Sequence, residues 1–326
     1  MKAVWYSQNG AAADVLTFGD LPTPEPGPGE VRVKLASSGV NPSDVKSRQS
    51  RPLAGPKVIP HSDGAGVIDA VGSGVDRHRI GQRVWVWNGQ WQRAWGTACQ
   101  YIALPQAQAV ALPEQIDYAS AACFGIPALT AIQAIRLAGD LSNKTVLVTG
   151  ASSAVGHYAA QLAVRAGARV LGTVGSAARG EHACAGGVSE LIYYKTESVA
   201  QRVKELTKDQ GVDAIIDMDF STTSAYVTDG ALKSQGKLVC YGSNNAGDVA
   251  VNFRTMLWRQ LTLKFLIVYE LSASDREHGL RALQALLTSN SLQHSMGARF
   301  KLTDIIKAHQ AVEHGQIIGN VVIDVE

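Results

Sequence analysis

The sequence predicts an α/β protein in which a doubly wound parallel sheet is joined to a β-rich domain. Three observations carry this. A β-branched apolar run, Thr145–Thr149, stops at Gly150 and gives way to small residues and then to helical spacing. Strand-like and helix-like stretches alternate from there to Tyr241, the order that builds a parallel sheet with crossover helices. Residues 1–120, by contrast, hold short apolar runs punctuated by turn residues. A chain of 326 residues is too long for one compact core, so two domains are expected.

The elements follow in order. Strands are expected at Lys2–Tyr6, Val31–Ser37, Gly66–Val71, Arg83–Trp87, Cys99–Ala103 and Ala109–Ala111, with Pro22–Glu30 as a surface connection. Trp85 and Trp87 alternate as on one strand face, so they and their neighbours Trp91 and Trp95 are read as packing rather than as a stacking site for a ligand. A helical pattern begins near Tyr118 and continues through Leu129 to Leu137. Beyond Gly150 the helix runs through Tyr158, Leu162 and Val164 and stops at Gly167. Further strands are expected at Val170–Thr173, Glu190–Tyr194, Asp213–Asp217 and Lys237–Tyr241, and helices at Val199–Thr207 and Thr223–Leu232. Thr303 is read as the N-cap of a helix over Asp304–His314, which Gly315 stops, and Asn320–Val325 as a last strand. The domains are accordingly placed at 1–123, completed by 291–326, and at 124–290.

Composition narrows the function classes. Hydrophobic residues make up 46% and charged residues 18% of the chain, ordinary for a globular protein. A net charge of +2 gives no basic surface for nucleic acid or membrane. No apolar run approaches a bilayer span, and MKAVWYSQNG reads directly as a strand rather than a signal peptide. The four cysteines, Cys99, Cys123, Cys184 and Cys240, are far apart and form no disulfide framework or CxxC pair. A reduced cytoplasmic enzyme is expected.

Chemistry is expected at the Gly150 turn. Strand, tight turn, helix and strand within about thirty residues is the layout of a dinucleotide-binding unit. Small side chains at Ser152, Ser153, Ala154 and Val155 let backbone N–H groups approach a pyrophosphate, and the helix N-terminus adds a favourable dipole. The G-x-G-x-x-G pattern is degenerate here, reading Ala151-x-Ser153-x-x-Gly156. The next strand selects the cofactor. An NAD site wants an acid there for the ribose 2′-hydroxyl, whereas this chain offers Gly175, Ser176 and then Arg179. A hydroxyl and a guanidinium suit a 2′-phosphate, since Arg presents a forked pair of donors. NADPH is therefore the expected cofactor. Tyr241-Gly242-Ser243 ends a later strand, at the edge where such sheets bind ligands. Phe265 to Tyr269, with Ile267 between them, either lines the nicotinamide pocket or pairs across a dimer.

Ordered motifs then resemble one family. Gly39-Val-Asn-Pro-Ser-Asp-Val-Lys-Ser-Arg48 resembles the GVNP segment of the quinone oxidoreductase (zeta-crystallin-like) family of the medium-chain dehydrogenase/reductase superfamily. His61-Ser-Asp-Gly-Ala-Gly-Val-Ile-Asp-Ala-Val-Gly72 resembles its glycine-rich turn. Gly81–Val84, Gly125–Ala131, Gly150–Gly156 and Gly319–Val322 follow in the family's order. The resemblance covers essentially the whole chain. It implies a groES-like catalytic domain, a Rossmann domain, NADPH and one-step hydride transfer to quinones without flavin, commonly in a homodimer. It implies that Asn41 stands near the nicotinamide and acceptor, where its amide can donate to a developing oxyanion. Thr130 is either the family threonine that touches the nicotinamide or a buried helical residue. Tyr194 resembles the position beside the 2′-phosphate, and Ser221 and Asn320 complete the expected cofactor set. Lys46 replaces a frequent family tyrosine. It either polarises a quinone oxygen or pairs with Asp44 in solvent.

Zinc-dependent relatives place a Cys ligand in the segment matching Val40–Asp44 and a His in the glycine-rich turn. Here Asn41 stands in the first, His61 falls one position early in the second, and Ser62 takes the ligand place. Three protein ligands for a catalytic zinc cannot be assembled, and the four-cysteine lobe is missing from residues 87–96. No metal is expected, and His61 is read as a turn or pocket-rim histidine. The expected activity is reduction of quinones by NADPH. The alternatives are a reductase of enals and enones and a non-catalytic, crystallin-like NADPH-binding protein.

Overall fold

The chain opens with β1 (Lys2–Trp5) and β2 (Thr17–Asp20), an antiparallel pair flanking the short α1 (Ala12–Val15). The computed structural model describes residues 1–325 and divides into two units, residues 1–127 with 294–325, and Ala128–Gln293.

In the first unit β3 (Glu30–Val40) leads into α2 (Pro42–Ser50), followed by β4 (Asp63–Val71), β5 (Arg83–Val86), β6 (Tyr101–Pro105), β7 (Ala109–Ala111) and α3 (Tyr118–Ala121). Val31, Val33 and Leu35 point to the core while Arg32 and Lys34 point away, the period-two pattern of a half-buried strand. Strand β4 starts before its apolar run because Asp63 and Gly64 pair with Gly39 and Ser38. No side-chain alternation announces that extension. Gly39 tolerates nothing larger, since a Cβ there would lie 2.0 Å from the Ala122 carbonyl oxygen. Trp85 is buried and meets Phe124 edge-on at 5.9 Å between ring centres, as a packing residue should. The helical pattern near Tyr118 is interrupted: a π-turn over Phe124–Ala128 contains Pro127, which has no N–H to continue an α-helix.

The second unit holds α4 (Leu129–Ala138), β8 (Thr145–Val148), α5 (Ala154–Arg165), β9 (Arg169–Val174), α6 (Ala177–Ala185), β10 (Glu190–Tyr193), α7 (Val199–Thr207), β11 (Val212–Asp217), α8 (Phe220–Thr228), β12 (Leu232–Cys240), α9 (Phe253–Trp258), β13 (Thr262–Phe265) and α10 (Ala273–Thr288). Six parallel strands lie in the order β10-β9-β8-β11-β12-β13. The chain winds outward on one side of β8 and then on the other, so β8 and β11 flank the topological switch point. The helix expected over Thr223–Leu232 is corrected: it begins at Phe220 and ends at Thr228. Gly230, at φ 93°, turns the chain, and Leu232 pairs with Val212 as the first residue of a strand.

The first unit is completed by β14 (Met296–Lys301), α11 (Ile305–Glu313) and β15 (Asn320–Asp324), which give the mixed sheet β14-β15-β3-β4-β5-β7, with β6 also on β3. Thr303 is not the cap of α11. Leu302–Asp304 forms a 3₁₀ turn, Asp304 takes the cap position, and its carboxylate accepts from Lys307 Nζ at 2.7 Å.

Candidate active site

All six strands of the second unit run parallel, so their carboxyl ends share one edge. The turn after β8 is pinned there. The Thr149 hydroxyl donates to Asp217 Oδ1 at 2.9 Å and accepts the Met218 N–H at 2.9 Å. Gly150 adopts φ 61°, and a Cβ on it would lie 2.0 Å from Met218 Sδ. Ser153 caps α5, its Oγ accepting from Gly156 N at 3.0 Å. Gly156 is irreplaceable, because a Cβ would meet the Gly150 carbonyl oxygen at 2.2 Å. The N–H groups of Ala154 and Val155 open the helix, where no intrahelical acceptor exists. Ser152 is buried in the turn.

At the end of β9 there is no carboxylate. Ser176 caps α6, accepting from Arg179 N at 3.4 Å, so Arg179 sits on the first turn of that helix. Tyr194, at the end of β10, covers Gly175: a Cβ there would lie 2.9 Å from the phenol oxygen. Gly175, Ser176, Arg179 and Tyr194 thus gather at two neighbouring strand ends. Burial and the Arg179 guanidinium hold the His182 imidazole below its ordinary range. Along the same edge, Ser221 donates to Asp219 Oδ1 at 2.5 Å and Ser243 donates to the Asn245 carbonyl at 2.7 Å. Burial and the Asp217 carboxylate push the Tyr241 hydroxyl up. A Cβ on Gly242 would lie 2.7 Å from the Met218 carbonyl oxygen. Phe265 is exposed and meets Phe220 edge-on, and Ile267 is exposed beyond it. Thr130 is buried in the first turn of α4.

The first unit carries Asn41 at the cap of α2. Its Nδ2 donates to Asp63 Oδ2 at 3.0 Å, and the same oxygen accepts Ile126 N–H at 3.0 Å. The Asn41 amide, expected to serve an oxyanion, is therefore already engaged by Asp63, and its side chain also hydrogen-bonds the Asp44 carboxyl. Asn41 N–H goes to Asp44 Oδ2 at 2.8 Å. Asp44 is buried and turned inward, so it does not make the solvated pair with Lys46, which is exposed on α2. Burial pushes the Asp44 carboxyl up to about 7, against the N–H groups that favour its charged form. Asn320 opens β15 next to Val321, the partner of Val40, and its Nδ2 donates to the Ser295 carbonyl at 2.8 Å.

His61 is in a turn, at φ 76°, but not at a rim, because it is wholly buried. The hydrogen bonds around it fix every proton. Thr97 Oγ1 donates to the Asp63 carbonyl at 2.6 Å, so it accepts from Ser38 Oγ at 2.7 Å. Ser38 then accepts from His61 Nδ1 at 2.8 Å, and His61 Nε2 accepts from His309 Nε2 at 2.9 Å. Both rings are neutral, with burial taking His61 down to about 3 and His309 well below its ordinary range. Both nitrogens of His61 are thus engaged. Among the described residues no three His, Cys, Asp or Glu side chains are grouped as for a metal ion. Asp63, Asp217 and His309 were not singled out by sequence reasoning, and Asp44 only as a partner for Lys46. Their contacts depend on strand register and on a helix about 250 residues distant in the chain.

A doubly wound sheet with a glycine turn at its switch point, and a second unit built on a mixed sheet, define a two-domain oxidoreductase of the nucleotide-dependent class. Comparisons place it further. Residues 27–114 match the family model for the alcohol dehydrogenase GroES-like domain, and residues 154–285 that for the zinc-binding dehydrogenase. A quinone oxidoreductase of Pseudomonas aeruginosa is 29% identical over 95% of this chain and 95% of its own length. A structure described as an NAD-dependent alcohol dehydrogenase superposes with a TM-score of 0.91 at 28% identity, covering 100% of both chains. A mycobacterial protein complexed with NADPH gives 0.88 at 25% identity, again over 100% of both. The chain belongs to the medium-chain dehydrogenase/reductase superfamily, in its quinone oxidoreductase (zeta-crystallin-like) family, and is an oxidoreductase.

Proposed function

We propose that this protein reduces quinones, or closely related conjugated electrophiles, with hydride from NADPH. The end of β9 carries the proposal. A carboxylate there would repel a 2′-phosphate, and this chain has none. Ser176, Arg179 and Tyr194 are gathered there instead and offer donors to it. The N–H groups of Ser152 to Val155 receive the pyrophosphate at the start of α5. Ser221, Tyr241 to Ser243, Phe265 and Ile267 line the rest of the same sheet edge, and the family resemblance adds Thr130 and Asn320 to the expected cofactor contacts. Bound NADPH supplies the hydride. Asn41 orients the acceptor, its amide placed to donate to the oxygen that gains negative charge. The relatives named as quinone oxidoreductases support the acceptor class.

Steady-state rates with NADPH and NADH against 1,4-benzoquinone, 9,10-phenanthrenequinone and 2-alkenals test this reading. NADPH should be preferred and quinones turned over. A preference for NADH overturns the cofactor assignment, and faster turnover of alkenals moves the substrate class to activated double bonds. If no electrophile oxidises NADPH, the enzymatic reading fails.

A further inference from the structure

The structure assigns Asp63 a role as the positioning residue for Asn41. The assignment rests on Asn41 being the acceptor-side residue of the proposed reaction. Asp63 Oδ2 lies 3.0 Å from both Asn41 Nδ2 and the Ile126 N–H. This oxygen accepts from both N–H groups, so it fixes which end of the Asn41 amide faces it. One oxygen thereby ties the cap of α2 to the turn over Phe124–Ala128. The turn must carry glycine at 125 for the carboxyl to sit there, since a Cβ on Gly125 would lie 2.2 Å from Asp63 Oδ1.

The backbone of Asp63 is held in turn. Its carbonyl takes the Thr97 hydroxyl, behind which stand Ser38, His61 and His309 in one buried chain of hydrogen bonds. Gly39 pairs with Asp63 across the sheet, two residues before Asn41. A buried network with each proton assigned has one low-energy arrangement. Asn41 is thus held in a single orientation before any acceptor arrives, and such pre-organisation governs turnover more than binding.

Asp63→Ala should lower kcat about ten- to a hundredfold, the size expected when a positioned group is left free to shift by about an ångström. The KM for NADPH should stay within about twofold. Asp63→Asn should restore kcat to within about threefold, because its carbonyl oxygen can still accept from both donors. Asp63→Ser, a milder truncation, should behave as Asp63→Ala if the latter does not fold. The Asn41 side-chain NH₂ resonances, assigned through their loss in Asn41→Ala, should exchange slowly in the native protein and in Asp63→Asn and quickly in the truncations. Native kcat in a folded truncation overturns the role, as does an Asp63→Asn variant as impaired as the truncations. Slow amide exchange in the truncations overturns it too. An inactive native enzyme would sink the proposed function instead, a result distinct from any of these.

Discussion

Replacing Arg179 with Ala should raise the Michaelis constant for NADPH about ten- to a hundredfold, the range of a lost charge-assisted hydrogen bond. The constant for NADH should hardly change, because only the 2′-phosphate distinguishes the two cofactors. Initial-rate kinetics with both decide it, and equal damage to both means Arg179 is a surface residue. Asn41→Ala should lower kcat about a hundredfold and leave NADPH affinity, read by fluorescence titration, within about twofold. At this scale the sequence was legible where the chain itself carries the spacing. Ser176 and Arg179 are three residues apart and meet across one helical turn. The commitment of Asn41 to Asp63 was not legible, because it joins residues 22 apart through the pairing of β3 with β4.

Strand β13 ends the six-stranded sheet and, among the described residues, is hydrogen-bonded only to β12. Around it Phe253, Leu257, Trp258 and Phe265 are exposed, Trp258 by 72%. A sheet edge near several exposed large apolar side chains seeks a partner, and a second copy of the chain supplies an identical edge. The native protein is expected to be a homodimer by light scattering after gel filtration, and Phe253→Glu with Trp258→Glu should shift it to monomer without lowering the melting temperature of the unit. A native monomer defeats the expectation. Element boundaries were legible where period and cap agree, as for Val199–Thr207, whose cap is Ser198. They slipped where a turn residue decides, as at Gly230, and where an earlier 3₁₀ turn moved the cap from Thr303 to Asp304.

Across the whole molecule, Asp44 makes stability depend on pH. Its carboxyl titrates near 3.8 when unfolded and at about 7 when folded. Between those values the folded state holds a proton that the unfolded state has lost, so this group's contribution falls as pH rises through the window and is level above it. Asp44→Asn, which still accepts the Asn41 N–H, should gain stability over the native protein between pH 4 and 7, by on the order of 4 kcal/mol at the top. Chemical denaturation across that range checks it; a difference independent of pH refutes it. Exhaustive chelation should leave turnover intact, and a loss restored by added zinc would reverse that expectation. The sequence by itself determined the class of fold and the family, because strand–turn–helix alternation and ordered glycine motifs are local and additive along the chain. It also determined the missing acid after β9. Only the tertiary structure decided what Asp44, Asp63, Asp217 and His61 do. A buried polar group takes its protonation and its partners from whatever the fold brings within about 3 Å of it, and those neighbours come from other strands and helices.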